Sequence, residues 1–179
     1  MRVLVAIVFM IALSNVAIAA DPIWLKFSGE KAFAQVKALV DLGPRPAGSA
    51  ALEKSRVLIE KELQATGWKV TRQTFTAQTP RGAMTFSNII ATFGDKPQFL
   101  LCSHYDTKTF DTISFVGAND GGSSTGLLLE MARVLALQPS LAAKVELVFF
   151  DGEEAFENFT ASDGLFGSRH FAESLGENA

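Results

Sequence analysis

The segment KVELVFFD, residues 144–151, places the strongest constraint on the fold of this chain. Its nearly unbroken apolar run is typical of a strand that is buried on both faces, in a sheet that carries helices on its two sides. The run ends in acidic residues, Asp151, Glu153 and Glu154. Carboxylates this close repel one another, and the repulsion raises the pKa of at least one of them. A solvated turn would hold them at little cost, and a bound cation is the alternative explanation.

Composition limits the classes of protein to which the chain can belong. With 179 residues, a net charge of −3 and 48% hydrophobic residues, it suits one globular domain with a substantial core. The charge is not basic enough to indicate a nucleic-acid partner. Cys102 is the only cysteine, so the sequence offers neither an intrachain disulfide nor a cysteine metal cluster. It lies in the apolar segment QFLLCSHYD, where we expect it to pack as a small hydrophobic residue.

Residues 1–19 have the organisation of a secretory signal peptide. A short positive start precedes an apolar run over residues 3–13, and small residues follow. Ala17 and Ala19 fit the third and first positions before a cleavage site, so we expect cleavage after Ala19. We predict a secreted or periplasmic protein with no stable membrane insertion after cleavage. A transmembrane anchor is the alternative, but the apolar run is too short for a comfortable span and no basic cluster follows it.

The hydrophobic periodicity predicts an α/β domain. Two amphipathic helices come first, one between Ser28 and Gly43 and the other ending at Gly67. Two strands rich in Thr, Val, Ile and Phe follow, joined by a Thr-Pro-Arg-Gly turn. The segments QFLLCSHYD, GGSSTGLLLEMARVLAL, KVELVFFD and GLFGSRHFAESL then alternate strand and helix, which predicts a mixed sheet. Because few candidate strands follow KVELVFFD, we expect this buried strand to have an uncovered edge.

Polar residues at the ends of the predicted elements indicate a shared site. His104 and Asp106 come at the end of the third strand, and Glu153-Glu154 follow the fourth, where open α/β sheets place their ligands. Asp120 stands immediately before a helix, whose dipole favours an ionised carboxylate. Each feature alone has an ordinary explanation: a chance His-x-Asp sequence, a turn before a helix and a solvated loop. Together they predict a divalent metal site at one edge of the sheet.

The motifs and their order resemble those of the glutaminyl cyclases (glutaminyl-peptide cyclotransferases) and their relatives, the zinc aminopeptidases. They cover residues 28–175 and are GPRPAGS, SNIIATF, CSHYDTK, FVGANDGGSSTG, LLLEMARVLA, VELVFFDGEEAF and DGLFGSRHFAESL. The resemblance implies a mixed, mainly parallel central sheet flanked by helices. It also assigns residues 20–179 to the N-terminal part of such a catalytic domain. The insertion between Glu154 and Gly167 resembles the cyclase branch, which commonly carries a tryptophan where this chain has Phe159.

In the cyclase branch, the resemblance implies that Asp120 and Glu154 bind one zinc ion and that Glu153 is the general acid and base. The implied activity is zinc-dependent acyl transfer on peptides or proteins with an N-terminal glutamine, which forms pyroglutamate and releases ammonia. The aminopeptidase branch is the alternative, in which N-terminal residues are hydrolysed. There, two zinc ions bind, His104 joins the second ion, Asp120 bridges both ions and Glu153 activates a water molecule.

Both branches complete the zinc site with a histidine from a segment beyond the last predicted helix. This sequence contains only His104 and His170, and His170 is expected on that helix as a packing or surface residue. We therefore expect the sequence to be a fragment of a longer enzyme. A second alternative follows, that the chain as it stands is inactive and binds zinc weakly because it lacks the last ligand.

Overall fold

The structure, a computed structural model, describes residues 22–176 and forms a four-stranded sheet with helices on both faces. The signal peptide predicted for residues 1–19 lies outside this part. Within residues 22–176, no helix is both long and apolar enough to cross a membrane. A short 3-10 helix, Ile23–Lys26, precedes the elements α1 Gly29–Val40, α2 Ala50–Ala65, β1 Lys69–Thr79, β2 Gly82–Thr92, β3 Phe99–His104, α3 Gly122–Ala136, α4 Pro139–Ala142, β4 Val145–Phe150 and α5 Phe166–Gly176.

Serine side chains cap the first two helices, and Ser28 does so at the position where the sequence predicts that the first helix begins. The Ser28 hydroxyl accepts a hydrogen bond from the Lys31 amide at 3.3 Å, and the Ser49 hydroxyl accepts one from the Leu52 amide at 3.1 Å. Each bond satisfies an amide that has no partner within its own helix. The short 3-10 helix and α4 are elements that the periodicity did not predict.

The sheet has the strand order β1-β2-β4-β3, and its mixed character confirms the predicted α/β class. It is less parallel than predicted, because β1 with β2 and β2 with β4 are antiparallel pairs. Among the described strands, β3 and β4 form the one parallel pair. The reason is the β1–β2 hairpin, whose second strand lies beside β4 and runs in the opposite direction.

Strand β4 lies inside the sheet, so the predicted uncovered edge on this strand was wrong. Its neighbours β2 and β3 both precede it in the sequence. Its alternate side chains enter two hydrophobic clusters. Leu147 and Phe149 pack with residues of α2 and α3 on one face, and Val148 and Phe150 pack with Phe171 of α5 on the other. Burial on both faces confirms what the unbroken apolar run indicates.

Cys102 is exposed, contrary to the prediction that it packs as a small hydrophobic residue. It lies on β3, at the end of the strand order. Its register partner on β4 is Val148, so the two side chains share one face of the sheet. On that face α5 packs against β2, which leaves this part of β3 open to solvent. The sequence shows the apolar run around Cys102 but not its position at an edge.

A buried ion pair joins α2 to the end of β4. Arg56 Nη2 lies 2.6 Å from Asp151 Oδ2, and the Asp151 side chain is fully buried. The same carboxylate oxygen accepts a hydrogen bond from the Ser87 amide at 2.7 Å. Arg56 also binds Glu53 at 2.7 Å, but the Glu53 side chain is half exposed. One arginine thus pairs with a buried and with a half-exposed carboxylate. The buried pair explains why an acidic residue stands at the end of the apolar run, at Asp151.

Replacement of Arg56 is expected to destabilise the fold strongly, because Asp151 would remain buried without its partner. We predict that Arg56→Met lowers the free energy of unfolding by about 3–5 kcal/mol. The control Glu53→Gln weakens two partly exposed pairings, with Arg56 and with Arg72, and we expect it to cost about 0–1 kcal/mol. Urea denaturation of both variants measures the difference. Equal losses of stability would contradict a dominant role for the buried pair.

Candidate metal centre

The candidate centre lies at the edge of the sheet where β3 and β4 both end. These strands are parallel, and His104 at the end of β3 is in register with Phe150 at the end of β4. The segment with Glu153 and Glu154 therefore leaves the sheet next to His104. Helix α3 begins at Gly122, just after Asp120, and packs against both strands. The parallel pair and its connecting helix thus bring the predicted residues together.

Three side chains with possible ligand atoms meet at this edge. Atoms of His104, Asp120 and Glu154 all lie within 4.8 Å of one another. The distance between His104 Nε2 and Asp120 Oδ1 is 3.1 Å. One imidazole nitrogen and two carboxylate oxygens are donors that zinc accepts in proteins. The structure brings His104 together with the two carboxylates that the resemblance implied as ligands.

Asp106 orients the histidine and also holds the loop after β4. This carboxylate is buried, and its Oδ1 lies 3.3 Å from His104 Nδ1. It accepts hydrogen bonds from the backbone amides of Glu153 and Glu154, at 3.3 and 3.0 Å. Burial disfavours the imidazolium form of His104. The hydrogen bond to Asp106 and the charges of Asp106, Asp120 and Glu154 outweigh this effect of burial. Together they raise the pKa of His104 to about 9.

Glu154 lies in an environment that disfavours its negative charge. Burial, followed by the charges of Asp120 and Asp106, raises its pKa to about 7. A cation beside these carboxylates would reverse the effect, because an opposite charge favours the ionised form. The crowding of acidic groups and the donor types therefore both fit a bound divalent cation.

Glu153 is adjacent to Glu154 in the chain but has different partners. Its Oε1 accepts a hydrogen bond from the Ser168 amide at 2.7 Å, and its Oε2 accepts one from the Ser168 hydroxyl at 2.8 Å. Both contacts come from the first turn of α5. Burial raises the pKa of Glu153, and the hydrogen bonds from Ser168 oppose that rise. The carboxylate is thus held in one orientation beside the three-residue cluster.

Glycines shape the loops that carry these residues. Gly152, between β4 and Glu153, has a φ of +68°, a conformation that side chains rarely adopt. A Cβ atom there would lie 2.4 Å from the buried Phe86 ring. Gly121, next to Asp120, has a φ of +73°, and a Cβ atom there would lie 2.9 Å from the His104 ring. The close approach of these loops to their neighbours requires glycine at both positions.

The insertion after Glu154 is an ordered loop. The Asp163 carboxylate accepts hydrogen bonds from three successive amides, those of residues 156–158. Lys108 Nζ donates to the carbonyl of Ala155 at 2.7 Å and lies 5.7 Å from the centre of the Phe159 ring. A cavity of about 90 Å³ beside Glu154 is lined by Phe156 rather than by the more exposed Phe159. Lys108 therefore links the segment after β3 to the insertion.

Two contributions to the centre were not predicted from the sequence. Ser168 lies within the motif DGLFGSRHFAESL, and its position in the first turn of a helix is typical of an exposed amide donor. The contacts of Asp106 with the Glu153 and Glu154 amides connect residues distant in the sequence, which no local pattern reveals. His170 lies away from the cluster and stacks on Phe75 with ring centres 4.0 Å apart, as predicted for a packing residue.

Comparison with known proteins identifies the family. The sequence profile of Peptidase family M28 matches residues 88–179, more than half of the chain and all the residues of the candidate centre. The chain belongs to peptidase family M28. This M28 chain is 38% identical over 153 residues to a glutaminyl-peptide cyclotransferase of Gloydius blomhoffii, a match that covers 76% of this chain and 41% of the relative.

Two solved structures resemble this M28 fold. A glutaminyl cyclase of an Acidobacteriales bacterium matches with a TM-score of 0.76 at 33% identity, covering 86% of this chain and 54% of that chain. A Zn-dependent exopeptidase from Parabacteroides distasonis matches with a TM-score of 0.72 at 28% identity, covering 82% and 56%. The M28 chain spans about two fifths of the length of the curated relative and about half of the length of these structures.

The two histidines of the chain offer a direct test of the cluster. We expect His104→Ala to weaken zinc binding by more than about tenfold, because it removes one of three donors. The control His170→Ala should leave the zinc affinity unchanged, since His170 stacks on Phe75 and is not part of the three-residue cluster. Competition with a chromophoric chelator measures both affinities. Equal zinc affinities of the two variants would exclude His104 from the centre.

Proposed function

We propose that the protein to which this chain belongs is a zinc-dependent glutaminyl-peptide cyclotransferase. The reaction converts an N-terminal glutamine of a peptide or protein to pyroglutamate with release of ammonia. The observation that carries this proposal is Glu153, a half-buried carboxylate that Ser168 holds beside a cluster of possible cation ligands but outside that cluster. The similarity to glutaminyl-peptide cyclotransferases along much of the chain supports the same activity.

Asp120 and Glu154 are the proposed zinc ligands, and one ion is expected. The position of His104 beside Asp120 supports a role for its Nε2 as a third donor. Zinc bound here would supply a Lewis acid that polarises the γ-amide carbonyl of the glutamine side chain. Asp106 would keep the His104 ring oriented, because it contacts the other ring nitrogen.

Glu153 is the proposed proton carrier. Its carboxylate would accept a proton from the substrate α-amine while that nitrogen forms a bond to the γ-amide carbon. It would then deliver this proton to the amide nitrogen as the original C–N bond breaks and ammonia leaves. The pKa of Glu153 is raised by burial, which brings a carboxyl group closer to the range in which it both accepts and donates protons near neutral pH.

An aminopeptidase is the second candidate function, and two observations favour it. One similar structure is a Zn-dependent exopeptidase. His104 also lies with Asp120, as the two-zinc arrangement of that branch implies. In this case Glu153 would take a proton from a water molecule that attacks the peptide carbonyl. The insertion between Glu154 and Gly167 and the greater similarity to the cyclotransferases favour the first candidate.

An assay with two substrate classes separates these candidates. The protein to which this chain belongs is supplied with zinc and with glutaminyl peptides or aminoacyl anilides. We expect pyroglutamyl peptide and ammonia, detected by mass spectrometry and a coupled ammonia assay, and no release of free amino acids. Release of free amino acids without pyroglutamate would reverse the order of the two candidates.

Variants of the two adjacent glutamates are expected to affect catalysis and metal binding differently. Glu153→Gln is expected to retain zinc but lower the turnover by about 10²- to 10⁴-fold, the usual contribution of a positioned proton carrier. Glu154→Gln should weaken zinc binding instead, because it removes a proposed ligand. Zinc content and turnover are measured for both variants. Loss of zinc in Glu153→Gln with retention in Glu154→Gln would show that the roles are assigned in the wrong order.

We also propose that the protein is secreted or periplasmic, on the basis of the apolar leader and the small residues before Ala20. N-terminal sequencing of the exported protein is expected to begin at Ala20. Retention of the leader on a membrane-bound product would contradict this proposal.

A further inference from the structure

A buried arginine outside the candidate centre connects the segments that carry its residues. Arg45, in the GPRPAGS motif between α1 and α2, is fully buried. Its Nη1 donates hydrogen bonds to the carbonyls of Leu39 and Gly43, both at 3.1 Å, and of Val116 at 2.9 Å. Its Nε donates to the carbonyl of Tyr105 at 3.1 Å. One guanidinium thus joins the end of α1 to the segments after β3 and before α3.

The backbone of Arg45 is also tied to the segment after β3. The Arg45 amide donates to Thr107 Oγ1 at 2.8 Å, and the Thr107 amide donates to the carbonyl of Arg45 at 3.1 Å. Tyr105 and Thr107 stand on either side of Asp106. Arg45 therefore fixes the backbone around the carboxylate that orients His104 and holds the loop after β4.

The loop with Asp120 packs on the same arginine. A Cβ atom at Gly117 would lie 2.6 Å from the Asp120 carbonyl oxygen, 2.7 Å from Thr107 Cγ2 and 3.6 Å from Arg45 Nη2. Arg45 Nη2 is buried without a hydrogen-bond partner among the described residues. A buried donor without a partner is unfavourable. The bonds that Nε and Nη1 make to the loops offset this cost.

We propose that Arg45 is a positioning residue of the candidate metal centre. It holds the loops of His104, Asp106 and Asp120 at the spacing that a cation requires before the cation binds. Without these bonds, binding would have to order the loops as well, and the affinity would fall. The inference rests on the proposed metal site and not on the cyclisation reaction.

The test compares Arg45, which contacts the loops of the candidate centre, with Arg133, which contacts Glu130 and the Lys26 carbonyl instead. The 179-residue chain and its Arg45→Met variant are titrated with zinc against a chromophoric chelator, and the absorption spectrum of bound Co²⁺ reports the coordination geometry. Loss of residues that orient metal ligands commonly lowers metal affinity by about 10- to 100-fold, and we expect a loss in this range with an altered Co²⁺ spectrum. The control Arg133→Met, which breaks bonds to Glu130 and to the Lys26 carbonyl, should change neither measurement.

Two milder variants keep the test decisive should Arg45→Met not fold. Arg45→Lys retains the charge but not the forked geometry, and Thr107→Val removes the acceptor of the Arg45 amide while keeping the side-chain shape. Both are expected to lose part of the zinc affinity while circular dichroism shows a folded chain. A lowered melting temperature with wild-type zinc affinity and an unchanged Co²⁺ spectrum would make Arg45 a purely structural residue and overturn the proposal.

The outcomes also separate this inference from the proposed function. Failure of the unmodified chain to bind zinc would overturn the metal site and the role of Arg45 together. Zinc binding that depends on Arg45, without cyclisation of glutaminyl peptides, would support the positioning role and count only against the proposed reaction.

Discussion

The parallel pairing of β3 with β4 is the constraint on which the candidate centre depends. Backbone hydrogen bonds hold His104 in register with Phe150, so the residues that follow each strand leave the sheet at the same edge. A parallel pair needs a crossover connection, and α3 provides it. The helix begins at this edge and brings Asp120 with it. One topological requirement therefore places all three possible ligands.

The centre concentrates negative charge that the rest of the fold stabilises only in part. Asp106 is satisfied by backbone amides and by His104, and Glu153 is satisfied by Ser168. Among residues 22–176, Glu154 has no comparable set of donors, and burial together with neighbouring carboxylates disfavours its ionised form. A divalent cation would stabilise the charge that these contacts leave uncompensated. The same arrangement also separates a proposed ligand from a proposed proton carrier within one dipeptide, because their side chains have different partners.

Local patterns predicted the elements of the fold because their causes are local. Ser28 and Ser49 cap helices through bonds to nearby amides, and alternate side chains of β4 fill cores on both faces. The order of the strands in the sheet could not be predicted from local patterns. Periodicity shows how many faces of a strand are buried but not which strands lie beside it, and so the neighbours of β4 and the exposure of Cys102 were mispredicted.

By itself, the sequence determined the α/β class, the candidate residues Asp120, Glu153 and Glu154, and their resemblance to the zinc enzymes of one superfamily. Only the tertiary structure decided how the polar residues divide among partners. Asp151 forms an ion pair with Arg56 in the core, and Glu153 accepts a hydrogen bond from Ser168. His104 joins Asp120 and Glu154 in one cluster. The physical reason is that these contacts join residues far apart in the chain, and their distances are set by strand register, helix packing and buried arginines rather than by local spacing.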